Sequence, residues 1–102
     1  MNVIRQEIAH VVVRGRVQGV GYRAFVEDEA TRLGLQGWVR NRRDGAVEAL
    51  FSGSEQAVRA MVELCRKGPM GARIEHIEQR EGRADELAQR GHGLNFAVLP
   101  MV

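Results

Sequence analysis

The amino-acid sequence predicts an α+β fold in which two helices cover one face of a mainly antiparallel sheet. A β-branched run, HVVV, leads into a glycine-rich loop, two segments repeat apolar residues every three or four positions, and RDG separates two further apolar runs. The resulting order is strand, helix, strand, strand, helix, strand, followed by a short extra strand near the C-terminal end. This βαββαβ order is that of the ferredoxin-like sandwich.

The first strand is predicted over Glu7 to Arg14, where the β-branched residues concentrate. A helix follows the glycine loop, because apolar residues there recur at helical spacing, and Gly34 is its expected C-terminal stop. The helix face that we expect to be buried consists of Tyr22, Phe25, Val26, Ala30 and Leu33.

Two strands joined by a hairpin turn come next, over Gln36 to Arg42 and Ala46 to Phe51. The Asp-Gly pair between them is a strong hairpin signal. The second helix is predicted to begin after Ser54, whose hydroxyl can cap it, and to end at Gly68 and Pro69. Its predicted core face consists of Val58, Met61, Val62 and Cys65.

The last third of the chain carries weaker signals. Strands are predicted over Arg73 to Gln79 and Leu94 to Leu99. The polar, glycine-punctuated segment Glu81 to Gly93 is expected to be an exposed excursion, and no motif defines its conformation. Because no linker or internal repeat interrupts the pattern, residues 1–102 are expected to form a single domain.

Composition argues against several classes of protein. The chain has 102 residues, of which 44% are hydrophobic, enough for one modest core. A net charge of +2 is too small to indicate nucleic-acid binding by charge alone. No apolar run can span a membrane and MNVIRQE lacks the apolar core of a signal peptide, so we expect a cytoplasmic protein. The single cysteine, Cys65, excludes an internal disulfide.

The stretch GRVQGVGYR, Gly15 to Arg23, joins the first strand to the first helix. A glycine turn that feeds a helix N-terminus presents several backbone N–H groups to one point, which suits a phosphate or carboxylate. The patterns GxxxxGK[ST] and GxGxxG are absent, which argues against a nucleotide or dinucleotide site. Arg23 opposes the helix dipole at a cost of about 0.3–1 kcal/mol, and a bound anion would explain it. A tight connection is the alternative interpretation of the glycines.

Topology brings Asn41 towards this loop. A right-handed crossover makes the second strand parallel to the first, so both strands end at the same edge of the sheet. We therefore expect the glycine loop and Asn41 to be neighbours. A simple turn-forming role before the hairpin is the alternative interpretation of Asn41.

The segment GWVRNRRDGAVEALFSG, together with GRVQGVGYR, resembles the paired signatures of the acylphosphatases, which hydrolyse the carboxyl–phosphate bond of acyl phosphates. The resemblance is close over residues 8–69 and weaker over residues 70–102. The first signature is matched by Gly15, Val17, Gln18, Gly19, Val20, Gly21, Tyr22 and Arg23. The second is matched by Gly37, Trp38, Val39, Arg40, Asn41, Gly45, Val47 and Gly53.

The resemblance implies the ferredoxin-like fold and a hydrolysis that uses no metal, cofactor or covalent intermediate. Arg23 and a set of backbone amides would bind the phosphoryl group, while the side-chain amide of Asn41 would orient the attacking water. The implied partners are a small acyl phosphate and inorganic phosphate, with no nucleic acid and no membrane, and we expect a monomer. The phosphate-binding amides would be those of Gly15, Arg16, Val17, Gln18, Gly19, Val20, Gly21 and Tyr22.

Other polar and aromatic residues receive structural interpretations. Trp38 is expected to be a packing residue, and the scattered His10, His76 and His92 are expected to be strand or loop residues. The acidic residues of the first helix, 27–29, are expected to form a solvated face. Two interpretations are open for Arg40, Arg42 and Arg43. They form either a basic rim that attracts dianionic substrates or solvated charges of the hairpin.

Two functions compete with acyl phosphate hydrolysis. One is a regulatory module that binds phosphate without useful turnover, although Asn41 would then have no role. The other is a nucleic-acid-binding domain of the same fold, which the near-neutral charge and the shortage of aromatic residues on the sheet disfavour.

Overall fold

The computed structural model describes residues 5–102, which contain one five-stranded sheet. Its strands are β1 (Gln6–Arg16), β2 (Gln36–Asn41), β3 (Val47–Ser54), β4 (Arg73–Glu81) and β5 (Phe96–Val98), and its helices are α1 (Tyr22–Arg32), α2 (Glu55–Lys67) and α3 (Ala84–Leu87). The strand order is β4-β1-β3-β2-β5, and only the β2–β5 pair is parallel. The predicted ferredoxin-like βαββαβ fold with a short extra strand is confirmed.

The bounds of the strands differ from the predicted ones by at most three residues at either end. β1 and β4 extend further than predicted because they pair with each other. Arg16 at the end of β1 pairs with Arg73, and Glu81 at the end of β4 pairs with Ala9, with a register shift between Arg14 and Gly15. β5 is shorter than predicted and pairs with β2 over three residues. Long-range pairing, which local sequence does not encode, therefore sets where the strands end.

The helices α1 and α2 pack on one face of the sheet. α2 is capped by Ser54, whose Oγ accepts a hydrogen bond from the Ala57 N–H at 3.2 Å, and all four residues of its predicted core face are buried. On α1 the buried residues are Tyr22, Val26 and Ala30, while Phe25 and Leu33 are half-buried and pack against the same core. No helix among residues 5–102 combines the length and apolarity that crossing a bilayer requires.

Most of the segment 81–93 is exposed, as the sequence predicts, but it has a defined conformation and contains one buried residue, Glu86. The segment forms α3 and a 3₁₀ turn. Trp38 Nε1 donates a hydrogen bond of 2.8 Å to the backbone oxygen of the buried Glu86. Leu87 packs against a second apolar cluster that contains Trp38 and Leu50. Because the buried indole N–H needs an acceptor and this face of the sheet is partly apolar, Glu86 and Leu87 anchor the segment on that face while most of its other residues stay exposed.

A buried polar network lies beside this second cluster. Glu48 Oε1 accepts a hydrogen bond from Arg40 Nε at 2.7 Å, and Glu48 Oε2 lies 2.6 Å from His10 Nε2. These contacts lower the pKa of Glu48 to about 2, although burial opposes the change. The hydrogen bond with His10 has the largest effect on this pKa, and the contact with Arg40 has a smaller one. The Arg40 guanidinium also lies 4.5 Å from the centre of the Trp38 ring. Arg40 is therefore neither part of a basic rim nor a solvated hairpin charge.

Candidate functional site

The glycine loop, the start of α1 and the end of β2 enclose a pocket of about 310 Å³. The loop and Asn41 meet here because β1 and β2 both pair antiparallel with β3 and so end at the same edge of the sheet. The predicted neighbourhood is therefore present in the structure. The pocket is lined by Val17, Gly19, Gly21, Tyr22, Arg23, Ala24, Glu27, Asn41 and Val98.

Two glycines give the loop its shape. Gly19 and Gly21 have φ angles of 76° and 80°, a region in which a side chain is unfavourable. A Cβ atom added to either would meet no atom within 4 Å. The backbone conformation, and not crowding, therefore requires glycine, and the space in front of the loop is open.

The N-terminus of α1 contributes hydrogen-bond donors to this pocket. Gly21 is the N-cap residue and provides no side-chain cap, and the first turn contains no acidic residue. The first intrahelical bond of the turn runs from the Phe25 N–H to the Gly21 carbonyl at 3.0 Å, so the amides of residues 22–24 precede the first intrahelical donor. These amides and the positive end of the helix dipole favour an anion at the pocket.

Arg23 is the second residue of α1, and its side chain lines the pocket. Arg23 forms no ion pair with any other residue in the range 5–102. The nearby Arg42 differs, because its guanidinium lies 3.0 Å from the Asp44 carboxylate, which also contacts Arg14 at 3.3 Å. In the described part of the chain the Arg23 guanidinium is thus not paired with a carboxylate, whereas Asp44 partly neutralises the hairpin cations.

Asn41 ends β2 with a half-buried side chain. Its Oδ1 atom is buried and has no hydrogen-bond partner among the described residues. Its backbone is held on both sides, since it pairs with Val47 of β3 and its carbonyl accepts from the Val102 N–H at 3.2 Å. A buried carbonyl without a partner costs about 1–3 kcal/mol, so this amide is suited to a water or substrate atom that enters the pocket.

The eight residues whose backbone amides were predicted to bind phosphate, 15–22, do not all lie at the pocket. Gly15 and Arg16 continue β1 and pair with β4, and Val20 packs against the main core. The Gln18 side chain turns towards the hairpin, where it donates to the carbonyls of residues 42 and 46. The four that line the pocket are Val17, Gly19, Gly21 and Tyr22.

Glu27 and Val98 line the pocket but were not predicted to do so. Glu27 is half-buried instead of solvated, and it lies four residues after Arg23, a spacing that places two side chains on one face of a helix. That spacing is visible in the sequence. Val98 comes from β5, whose parallel pairing with β2 has no signal in the sequence.

The residues interpreted as structural lie elsewhere. Trp38 and Cys65 are buried as predicted, and burial raises the pKa of the Cys65 thiol to about 12. His10 lies in the network on the other face of the sheet and His76 lies on β4. In the part of the chain that the structure describes, no three His, Cys, Asp or Glu side chains are placed to hold a metal ion.

A larger groove of about 840 Å³ lies beside the start of β1 and the end of β4. It shares no residue with the pocket around Asn41, and its cation, Arg80, is held by a bidentate pair with Glu86 at 2.9 and 2.6 Å. The smaller pocket combines a helix N-terminus with a guanidinium and an amide oxygen that have no partner among residues 5–102. We therefore assign the candidate site to the smaller pocket.

Comparison with known proteins gives a consistent result. The model of the acylphosphatase family matches residues 9–91. The chain is 57% identical to an acylphosphatase of Bradyrhizobium diazoefficiens over 95 residues, which cover 93% of this chain and 96% of the relative. It is 53% identical to one from Rhodopseudomonas palustris over 93 residues, covering 91% and 94% of the two chains. The crystal structure of the Bacillus subtilis acylphosphatase superposes with a TM-score of 0.80 at 37% identity and covers 93% of this chain and 99% of that one. The chain belongs to the acylphosphatase family.

Proposed function

We propose that the protein is an acylphosphatase, which hydrolyses acyl phosphates to a carboxylate and inorganic phosphate without a metal ion. The observation that supports this most directly is the buried, unpartnered Oδ1 of Asn41 at the same pocket as Arg23 and the glycine loop. A module that only binds phosphate needs the loop and the arginine. An amide that can orient water is an additional requirement of hydrolysis.

The phosphoryl group is bound by Arg23 and by backbone amides of the loop residues that line the pocket, which are Val17, Gly19, Gly21 and Tyr22. The oxygens of the phosphoryl group accept hydrogen bonds from the amides, while the planar guanidinium donates two parallel bonds to two of them. The dipole of α1 stabilises the same negative charge. Among residues 5–102 the Arg23 guanidinium forms no ion pair, not even with Glu27, the carboxylate that lines the same pocket, and this supports the role of Arg23.

Hydrolysis follows by attack of water on phosphorus. The Oδ1 of Asn41 accepts a hydrogen bond from the water and aligns its oxygen with the bond between phosphorus and the acyl oxygen. As the new P–O bond forms, that bond breaks, its electron pair leaves with the carboxylate, and a proton of the water passes to a phosphoryl oxygen. Asn41 does not titrate, but a carboxylate is a weakly basic leaving group, so positioning and charge stabilisation suffice.

The test is the hydrolysis of benzoyl phosphate in the presence of a chelator by the wild type, Arg23→Lys and Asn41→Ala. We expect turnover by the wild type and a loss on the order of 10³ or more in Arg23→Lys, because an ammonium group lacks the bidentate fork. In Asn41→Ala we expect kcat to fall by on the order of 10². The inhibition constant for inorganic phosphate should change by less than about threefold, since the ground-state anion is held elsewhere.

Arg59→Lys and Asn95→Ala are matched controls, because both residues are exposed and lie outside the pocket. Each should keep wild-type rates. Wild-type turnover in Asn41→Ala would disprove the role of that amide. Tight phosphate binding by the wild type without turnover would instead identify a regulatory module that binds phosphate.

A further inference from the structure

One side chain of the glycine loop contacts the hairpin that follows Asn41. The half-buried Gln18 donates from Nε2 to the Arg42 carbonyl at 2.7 Å and to the Ala46 carbonyl at 2.9 Å. The same two residues close the hairpin, because the Arg42 N–H donates to the Ala46 carbonyl at 2.9 Å. One amide group therefore spans the base of the hairpin.

We propose that Gln18 is a positioning residue that couples the phosphate-binding loop to Asn41. This inference rests on the proposed function. Gln18 lies between Val17 and Gly19, both of which line the pocket, and its acceptor Arg42 is the residue next to Asn41. The two hydrogen bonds thus connect the segment that holds the phosphoryl group to the segment that holds the water-orienting amide.

Hydrogen bonding between the two segments depends on this side chain. Within the described part of the chain, the two bonds from Gln18 are the only hydrogen bonds that join residues 17–21 to residues 41–46. The pairing of β1 with β3 ends earlier, at Val13 and Val47. Without Gln18, the distance between the loop and the hairpin would be set by packing, by strands that end before the pocket, and by the exposed ion pair between Arg14 of β1 and Asp44 of the hairpin.

The chemistry requires a donor with two hydrogens. A glutamine amide carries two N–H hydrogens, and here both go to carbonyl oxygens, so its donor capacity is filled. Methionine has a similar length but donates no hydrogen bond. Gln18→Met therefore removes the connection with little change in volume.

The expected effect is on turnover and not on phosphate binding. A misplacement of about 1 Å between reacting groups can lower a rate by up to about 10²-fold. The loop amides and Arg23 remain in place in Gln18→Met, so phosphate affinity should change by less than about threefold.

The experiment measures kcat and KM for benzoyl phosphate and Ki for phosphate in Gln18→Met, in Asn41→Ala and in the double variant, with the urea midpoint as a folding check. We expect kcat to fall about 10- to 100-fold when Gln18 is replaced in the wild type. In the Asn41→Ala background the same replacement should lower kcat by less than about twofold, because Gln18 acts through Asn41. Gln56→Met, at an exposed position of α2, is the matched control and should behave as wild type.

An equal loss of kcat in both backgrounds, or a loss confined to KM, would overturn the proposal.

Titration with inorganic phosphate, followed by the backbone NMR signals of Gly19 and Gly45, tests the coupling without turnover. We expect both signals to move in the wild type and only that of Gly19 to move in Gln18→Met. An unchanged response of Gly45 in the variant would also overturn the coupling. Wild-type protein that binds phosphate with both shifts but does not hydrolyse would refute the proposed function and leave the coupling standing. The absence of any shift in the wild type would refute both.

Discussion

Replacing Glu48 with glutamine removes one charge from the buried network on the sheet face opposite α1 and α2. The carboxylate of Glu48, with a side chain only 11% exposed, accepts from Arg40 and lies against His10. Glutamine has the shape of the protonated acid, so Glu48→Gln mimics protonation and leaves Arg40 without its anion. We expect the folded state to lose stability.

The magnitude follows from the pKa of Glu48, which its contacts lower from 4.5 to about 2. A difference of about 2.5 in pKa corresponds to about 3.4 kcal/mol at 1.36 kcal/mol per pH unit. Since the network keeps some contact with solvent, which screens the charges, we expect the free energy of unfolding to fall by about 2–3 kcal/mol. In a domain of this size that corresponds to a decrease in Tm of roughly 10–20 °C.

The assay is urea unfolding of the wild type and Glu48→Gln from pH 7 down to pH 2. The pKa of Glu48 is lower in the folded state than in the unfolded state, so its stabilisation is complete above the unfolded value and is lost as the pH falls through about 2. The contribution of the Glu48 carboxylate to the difference between the two proteins should therefore be complete above about pH 5.5, shrink below that, and nearly vanish at pH 2.

Glu63→Gln is the control, because Glu63 is 71% exposed and pairs with Arg66 at the surface. Its free energy of unfolding should stay within about 0.5 kcal/mol of the wild type. A loss below about 0.5 kcal/mol in Glu48→Gln at pH 7, or a difference that persists unchanged to pH 2, would refute the reasoning about the network.

Two further predictions concern buried groups. Cys65 is fully buried, and burial raises the pKa of its thiol to about 12, so we expect iodoacetamide to label it at pH 8 only when the protein unfolds. The labelling rate should then rise with urea in proportion to the unfolded fraction. Rapid labelling of the native protein would contradict this prediction. Trp38→Phe removes the donor to the Glu86 carbonyl and should lower the free energy of unfolding by about 1–2 kcal/mol. Amide hydrogen exchange should increase most over residues 84–90. Unchanged exchange there would show that Trp38 does not anchor the segment.

The order of the elements is predictable because each has a local signal. Ser54 caps α2 as its hydroxyl predicts, and the turn before Ala46 contains Gly45 at a positive φ of 93°, as an Asp-Gly hairpin predicts. The segment 81–93 has no such signal. Its conformation depends on the apolar surface around Trp38, which exists only after the sheet has formed.

The same distinction holds for the pocket. The neighbourhood of Gly19 and Asn41 follows from the handedness of one crossover, so the sequence predicts it. Glu27 follows from helical periodicity, although its charge favoured a solvated position. Val98 depends on the pairing of a three-residue strand that only the complete sheet can select.

Two consecutive residues of β2 face different parts of the molecule. Arg40 points to the face where it contacts Glu48 and Trp38, while Asn41, one residue later, points to the pocket on the other face. We therefore expect a substitution of Arg40 to act mainly on the fraction of molecules that are folded, and, on the proposed function, a substitution of Asn41 to act mainly on turnover.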